Sequence, residues 1–112
     1  AKDLLIIGDT PLPAHQVPNC LTKVPGNVHY CGQTRAAGVD SSRLDLERAI
    51  AGEYDGHFVS VTNWVCGTSF CPVILGNLLI WRDNNHVSAT FSKYLTQFMA
   101  AVVVPIVTKS AG

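Results

Sequence analysis

The order of apolar and polar positions along the chain predicts an α/β protein. Residues 4–7 form a continuous apolar run, Leu-Leu-Ile-Ile, which is typical of a strand covered on both faces, as in a parallel sheet. Residues 58–62 are rich in β-branched side chains and predict a second strand. Residues 41–54, between them, repeat apolar side chains at helical spacing. Because a helix that leads into a strand indicates an αβ unit, we expect the two strands to run parallel.

The predicted helix over residues 41–54 has recognisable start and stop signals. Ser42, followed by Asp45 three positions later, fits a capping box at the N-terminus. Gly52 or Gly56 would help to end the helix. The apolar side chains at helical spacing are expected to form its buried face, and they are Leu46, Ala49, Ile50 and Tyr54.

A hairpin and a final helix are predicted in the C-terminal third. Residues 73–81 predict a β-hairpin, because two apolar runs flank Gly76-Asn77 at a two-residue turn. The helix begins after His86 with Ser88 as its N-cap, and Pro105 is expected to end it. The apolar run of residues 98–107, interrupted by this proline, is too short to span a bilayer. The core-facing side chains of the helix are expected to be Val87, Phe91, Leu95, Phe98 and Val102.

Residues 11–40, which connect the first strand to the first helix, are rich in proline and glycine. An unstructured connection of this length is unusual in a compact domain, and a Cys20–Cys31 disulfide would pin its middle. Cys66 and Cys71 form a second local pair. Two disulfides in an oxidising compartment are therefore predicted, and the alternative is four reduced, buried thiols. No histidine lies near Cys66 or Cys71 to complete a zinc set, so no metal is predicted.

Length and charge limit the kinds of partner. A chain of 112 residues is expected to be one domain at most, residues 1–112, with a small core. Lys and Arg total 8 and Asp and Glu total 8, so the formal net charge is zero and nothing suggests nucleic acid or an anionic membrane surface as a partner. No cofactor is predicted.

Asp83 and His86 are the candidate catalytic residues. They lie three positions apart in the polar turn Arg82-Asp83-Asn84-Asn85-His86, between the hairpin and the final helix. A carboxylate at this spacing can accept a hydrogen bond from one imidazole nitrogen and leave the other nitrogen free to act as a base. The alternative is a turn cap beside a surface imidazole. His15 and His29, in the long connection, are expected to face solvent.

A nucleophile to complete a triad is not evident in the sequence. Thr10, in Gly8-Asp9-Thr10-Pro11, follows the first strand but is not a serine, and the proline prevents a helix from starting normally there. Ser69 lies in the Cys66–Cys71 loop without the Gly-x-Ser-x-Gly pattern of a nucleophile elbow. Ser88 is better used as a helix cap, and Ser60 lies inside the second predicted strand.

The block from Cys66 onward resembles the C-terminal half of an SGNH-hydrolase domain. The similar features are Cys71-Pro72, the Gly-Asn hairpin, Ile80-Trp81-Arg82-Asp83-x-x-His86-Val87-Ser88-Ala89-x-Phe91 and the apolar helix. The similarity is to SGNH domains fused to acyltransferase-3 membrane proteins of actinobacteria and other bacteria. Ile6-Ile7-Gly8-Asp9-Thr10-Pro11, with Pro18-x-Cys20 after it, is similar to the late-strand block of the same domains.

The resemblance implies a fold, a chemistry and a location. The fold would be a partial flavodoxin-like three-layer sandwich with few parallel strands, and Asp83 and His86 would complete a triad whose serine lies outside this chain. The missing N-terminal half of the domain and a membrane acyltransferase domain would be partners, at the extracytoplasmic face of the membrane. An acyl donor and a glycan or glycolipid acceptor are the implied substrates. The alternative is a non-catalytic, disulfide-stapled module that binds glycan or protein through Trp64, Trp81 and residues 11–40.

Overall fold

The described part of the chain is a mixed α/β structure with three two-stranded sheets, a long C-terminal helix and two disulfides. The computed structural model describes residues 4–111, with side chains as far as Lys109; residues 1–3 and 112 lie outside the described range. The strands are β1 (Leu5–Ile7), β2 (Gln33–Thr34), β3 (His57–Val59), β4 (Phe70–Cys71), β5 (Ile74–Leu75) and β6 (Leu78–Leu79). The α-helices are α1 (Val17–Lys23), α2 (Arg35–Gly38), α3 (Ser41–Glu53), α4 (Thr62–Val65) and α5 (Ala89–Ala111). The finer prediction of a flavodoxin-like sandwich is not confirmed by this arrangement.

The predicted parallel pair is present as β1 and β3. Ile6 is in register with Phe58, and the backbone N–H of Gly8 extends the ladder by donating to the carbonyl of Val59 at 2.8 Å. The expectation that the first strand is covered on both faces is wrong, because Ile7 is 47% exposed and β1 has β3 as its one strand neighbour among the described residues. The second strand is also shorter than predicted, since α4 begins at Thr62.

Helix α3 forms where the sequence predicts it, but its cap and its buried face differ from the prediction. Its N-cap is Asp40, whose side chain accepts from the backbone N–H of Arg43 at 3.0 Å, so the Ser42 capping box is wrong. The predicted apolar face points outward, and Leu46 is 61% exposed. Ala51 is buried instead. The reason is that α3 packs on the β1–β3 sheet through another side of the helix.

The long connection is more ordered than its proline and glycine content suggests. It contains α1, a 3₁₀ turn at Val28–Cys31, the strand β2 and the short helix α2. The predicted Cys20–Cys31 disulfide joins α1 to the 3₁₀ turn. Val17 and Cys31 are fully buried, so this region contributes to the core rather than covering it loosely.

The principal core lies around the two disulfides and the start of α5. It is formed by Val17, Cys20, Cys31, Val65, Cys66, Cys71, Val73, Ile80, Trp81 and Phe91. The predicted hairpin is present as β5 and β6, with Gly76 at φ +61° in the two-residue turn. It leads Ile80 and Trp81 into the core and brings the following polar turn to the surface.

Helix α5 begins as predicted but ends later. The Ser88 hydroxyl accepts from the backbone N–H of Phe91 at 3.1 Å and caps the helix. The expectation that Pro105 ends the helix is wrong, because α5 continues through it to Ala111. The helix from Ala89 to Lys109 is, by length and composition alone, long and apolar enough to cross a membrane. The apolar run of residues 98–107 is only part of this helix, so the length of that run underestimates the length of the whole apolar helix.

Candidate functional site

The turn that carries Asp83 and His86 is closed by backbone hydrogen bonds on both sides. Trp81 and Val87 form an isolated antiparallel bridge, and the N–H of Arg82 donates to the carbonyl of His86 at 2.8 Å. One step further out, the N–H of Ser88 donates to the carbonyl of Ile80 at 2.7 Å. Ile80 and Trp81 are buried, so the residues that lead from β6 into the turn are anchored in the core.

Asp83 organises the turn through one of its carboxylate oxygens. Oδ1 accepts from the backbone N–H of Asn85 at 2.9 Å and from that of His86 at 2.7 Å. The Asn85 amide is the largest influence that lowers the pKa of Asp83, and the amide and imidazole of His86 add to it. Together they hold the pKa at about 2, so the carboxylate is ionised at neutral pH.

His86 is oriented by the other oxygen of the same carboxylate. Its Nδ1 lies 2.9 Å from Oδ2 of Asp83. Because an ionised carboxylate can only accept hydrogen bonds, Nδ1 must carry the proton. In the neutral ring, Nε2 is then the atom with a free lone pair. The His86 side chain is 59% exposed, so the ring can meet a group brought to it from outside the described chain.

The arrangement is that of a base held in one tautomer by a carboxylate. The predicted contact between Asp83 and His86 is therefore present, while their catalytic role stays a prediction. The capping role, which the sequence left open as the alternative, is present as well, since Oδ1 binds the turn amides while Oδ2 binds the ring. The carboxylate group of Asp83 thus caps the turn and also orients the imidazole ring of His86.

The candidate hydroxyl groups are occupied elsewhere or lie in other parts of the surface. Ser88 caps α5 and donates to the carbonyl of Leu79 at 2.6 Å. Ser60 lies just after β3, not inside it, and its hydroxyl donates to that of Thr62 at 3.1 Å. Ser60 and Ser69 both border a cavity of about 580 Å³ beside α3. Among the described residues, none of these hydroxyls is hydrogen-bonded to His86.

Two of the other candidate binding residues differ from expectation. Trp81 is only 2% exposed, so the prediction that it is available to a ligand is wrong. His15 is half-buried and stacks on Tyr30 with ring centroids 5.4 Å apart. His29 is exposed, as predicted, and stacks on Phe70 at 4.0 Å. Within residues 4–111, no group of three His, Cys, Asp or Glu side chains could hold a metal ion.

The backbone amides that bind Asp83 correspond to the turn cap that the sequence left open as an alternative. The signal was present in Asp83-Asn84-Asn85, because Asp and Asn in a polar turn favour hydrogen bonds from the side chain to amides two or three residues on. This Asx-type turn explains why the carboxylate is held in place by its own turn.

Comparison with protein-family models found no matching family, and comparison with curated proteins and with solved structures found no match.

Proposed function

We propose that this chain is the C-terminal part of an extracytoplasmic SGNH-type O-acyltransferase or esterase domain, in which it supplies the Asp and His of a Ser-His-Asp triad. The observation that carries the proposal is the 2.9 Å contact between Nδ1 of His86 and Oδ2 of Asp83, on a ring that is exposed and held in one tautomer. A turn cap needs only the first carboxylate oxygen. The second oxygen, directed at an exposed imidazole, is what a general base requires.

In the proposed reaction, Nε2 of His86 accepts the proton of a serine hydroxyl supplied by sequence outside this chain. The serine oxygen attacks the carbonyl carbon of an acyl donor, and His86 returns the proton to the departing oxygen. The acyl-serine then transfers its acyl group to a hydroxyl of a cell-envelope glycan or glycolipid, or to water. Asp83 stabilises the imidazolium that forms at each step, and it stays ionised because its pKa is about 2.

The fold and the location belong to the same proposal. The parallel β1–β3 pair with α3 packed on it is the kind of unit from which a flavodoxin-like sheet is built. A complementary half-domain with a Gly-Asp-Ser turn would add strands to this sheet. Two disulfides support an oxidising, extracytoplasmic compartment, and the apolar helix α5 is compatible with a protein held at a membrane.

The test is covalent labelling of the longer protein that contains this chain together with a Gly-Asp-Ser turn. A fluorophosphonate probe should label its serine, and His86→Ala should reduce the labelling rate by about 100-fold or more because the base is lost. The matched control is His57→Ala, which removes an exposed histidine from β3. An intact protein that the probe does not label, or equal loss in the two variants, would contradict the proposal.

A second candidate function is non-catalytic glycan binding. It is favoured by Tyr30, which is 57% exposed and borders a cavity of about 370 Å³ with Asn19 and Lys23. An exposed ring beside amide and ammonium donors suits a sugar, whose apolar face can stack while its hydroxyls accept hydrogen bonds. Tyr30→Ala should then abolish binding to a glycan array, whereas His86→Ala should leave the binding unchanged.

A further inference from the structure

The C-terminal half of α5 is an apolar helix that the other described residues leave largely uncovered. The first turns of the helix are seated in the core through Phe91, which is fully buried. Farther along, Val104 and Val107 are each 57% exposed. Only 6% of the most apolar stretch between Ala89 and Lys109 is buried. The molecule measures 51 Å in its longest dimension against 27 and 21 Å in the others, as expected when a helix projects.

The projecting segment is apolar on all sides. Residues 98–107, Phe-Met-Ala-Ala-Val-Val-Val-Pro-Ile-Val, contain no polar side chain over ten positions. Ten residues make nearly three turns at about 3.6 residues per turn, so apolar groups face every direction around the axis. A second protein copy would cover one stripe of such a helix and leave the rest in water. A helix that is hydrophobic all round is suited to surroundings that are apolar on every side.

The base of the segment carries a cluster of aromatic side chains. The rings of Trp64 and Phe98 lie 5.9 Å apart, and those of Tyr94 and Phe98 lie 5.3 Å apart. Trp and Tyr are the residues that concentrate at the boundary between lipid and water. The charges of α5 are also compatible with a lipid surface. Its sequence has no acidic residue, and its two charged residues are Lys93 and Lys109.

We propose that residues 98–109 of α5 insert obliquely into one leaflet of a lipid bilayer, with Trp64 and Tyr94 at the headgroup level. The twelve residues are about 18 Å long at ~1.5 Å per residue, a little over half of the ~30 Å hydrocarbon core. As seated in the domain, these twelve residues therefore enter the membrane without spanning it, since even along the bilayer normal they would reach only a little past its midplane. An oblique path lets the Lys109 ammonium extend back to anionic phosphate groups. This membrane contact is independent of the proposed catalytic role.

The test is flotation of the intact, disulfide-bonded chain with phosphatidylcholine vesicles that contain phosphatidylglycerol. The wild-type chain should float with the vesicles. The double variant Val104→Asp/Val107→Asp should lower the partition coefficient by about 100-fold, because carboxylates are costly inside the hydrocarbon region. Leu46→Asp is the matched control, since Leu46 is equally apolar and 61% exposed but lies on α3, and it should float like the wild type.

A second variant checks the orientation and does not depend on the folding of the double variant. Lys109→Glu should weaken binding about fivefold or more on vesicles with phosphatidylglycerol and much less on phosphatidylcholine alone. A wild-type chain that stays monomeric and does not float would overturn the proposal, as would equal loss in Leu46→Asp. A lipid-free dimer that Val104→Asp dissociates, with no flotation of the wild type, would overturn it in favour of a second copy covering the helix.

Discussion

At the scale of single residues, Asp83 joins a structural role to the proposed chemical one. Its Oδ1 closes the turn and its Oδ2 orients His86. The pKa of the folded carboxyl group is about 2, below the ordinary value of 3.8, so folding favours the ionised form. This contribution to stability is fully present above about pH 3.8 and is lost as the pH falls through about 2.

Substitution of Asp83 by Asn should therefore destabilise the protein in a pH-dependent way. At neutral pH the free energy of unfolding of Asp83→Asn should be lower than that of the wild type, and the difference should shrink between pH 3.8 and about 2. Urea denaturation at a series of pH values measures this. Ser42→Ala, at an exposed position in α3, is the control and replaces a side chain without an ionisable group, so its effect should not change in this pH range. A difference that is the same at neutral pH and near pH 2 would contradict the linkage.

Loss of the imidazole should leave most of the Asp83 pKa shift in place. The Asn85 amide is the largest cause of the lowered pKa, and the backbone amide of residue 86 remains when its side chain is removed. In His86→Ala the pKa of Asp83 should stay clearly below 3.8, as followed by the carboxyl-carbon chemical shift during an NMR titration. A return to 3.8 would mean that the ring, not the turn, holds the carboxylate in its ionised form.

At the scale of elements, local signals predicted structure well and burial poorly. The Gly76-Asn77 hairpin and the Ser88 cap follow from a few neighbouring residues, and both form. The outward side of α3 could not be recognised from Leu46, because helical spacing shows that a face is apolar and not that a partner covers it. The prediction that Pro105 ends α5 is also wrong, since a proline inside a helix costs about 3 kcal/mol but does not always end the helix.

Two glycines in different elements give a matched test of backbone conformation. Gly76 has φ +61°, where an L side chain is strained, so Gly76→Ala should lower the unfolding free energy by about 1 kcal/mol. Gly52 lies in α3 with open space where the Cβ atom of an alanine would lie, so Gly52→Ala should raise it by about 1 kcal/mol. Urea denaturation of both variants measures the contrast. An increase in the unfolding free energy of Gly76→Ala would show that the hairpin turn is not formed in solution.

At the scale of the whole molecule, packing is uneven. The principal core joins both disulfides, the hairpin and the start of α5, and it contains no residue of β1, β3 or α3. The Asp83–His86 turn follows directly on core residues, and the contact between its two side chains could be predicted because they lie only three positions apart. The sparse packing around β1 could not be predicted from the sequence, because it depends on which surfaces come into contact and not on the local pattern of residues.

Hydrogen exchange should reveal this difference in packing. The N–H of His57 donates to Leu4 and that of Gly8 to Val59 across an open, two-stranded sheet, and both should exchange much faster than the N–H groups of Ile80 and Ser88 beside the core. The expected difference is about 100-fold or more, measured by NMR on the oxidised monomer. Equal protection at the four amides would show that the parallel pair unfolds only with the whole molecule, so that an exposed sheet edge does not weaken this part of the chain.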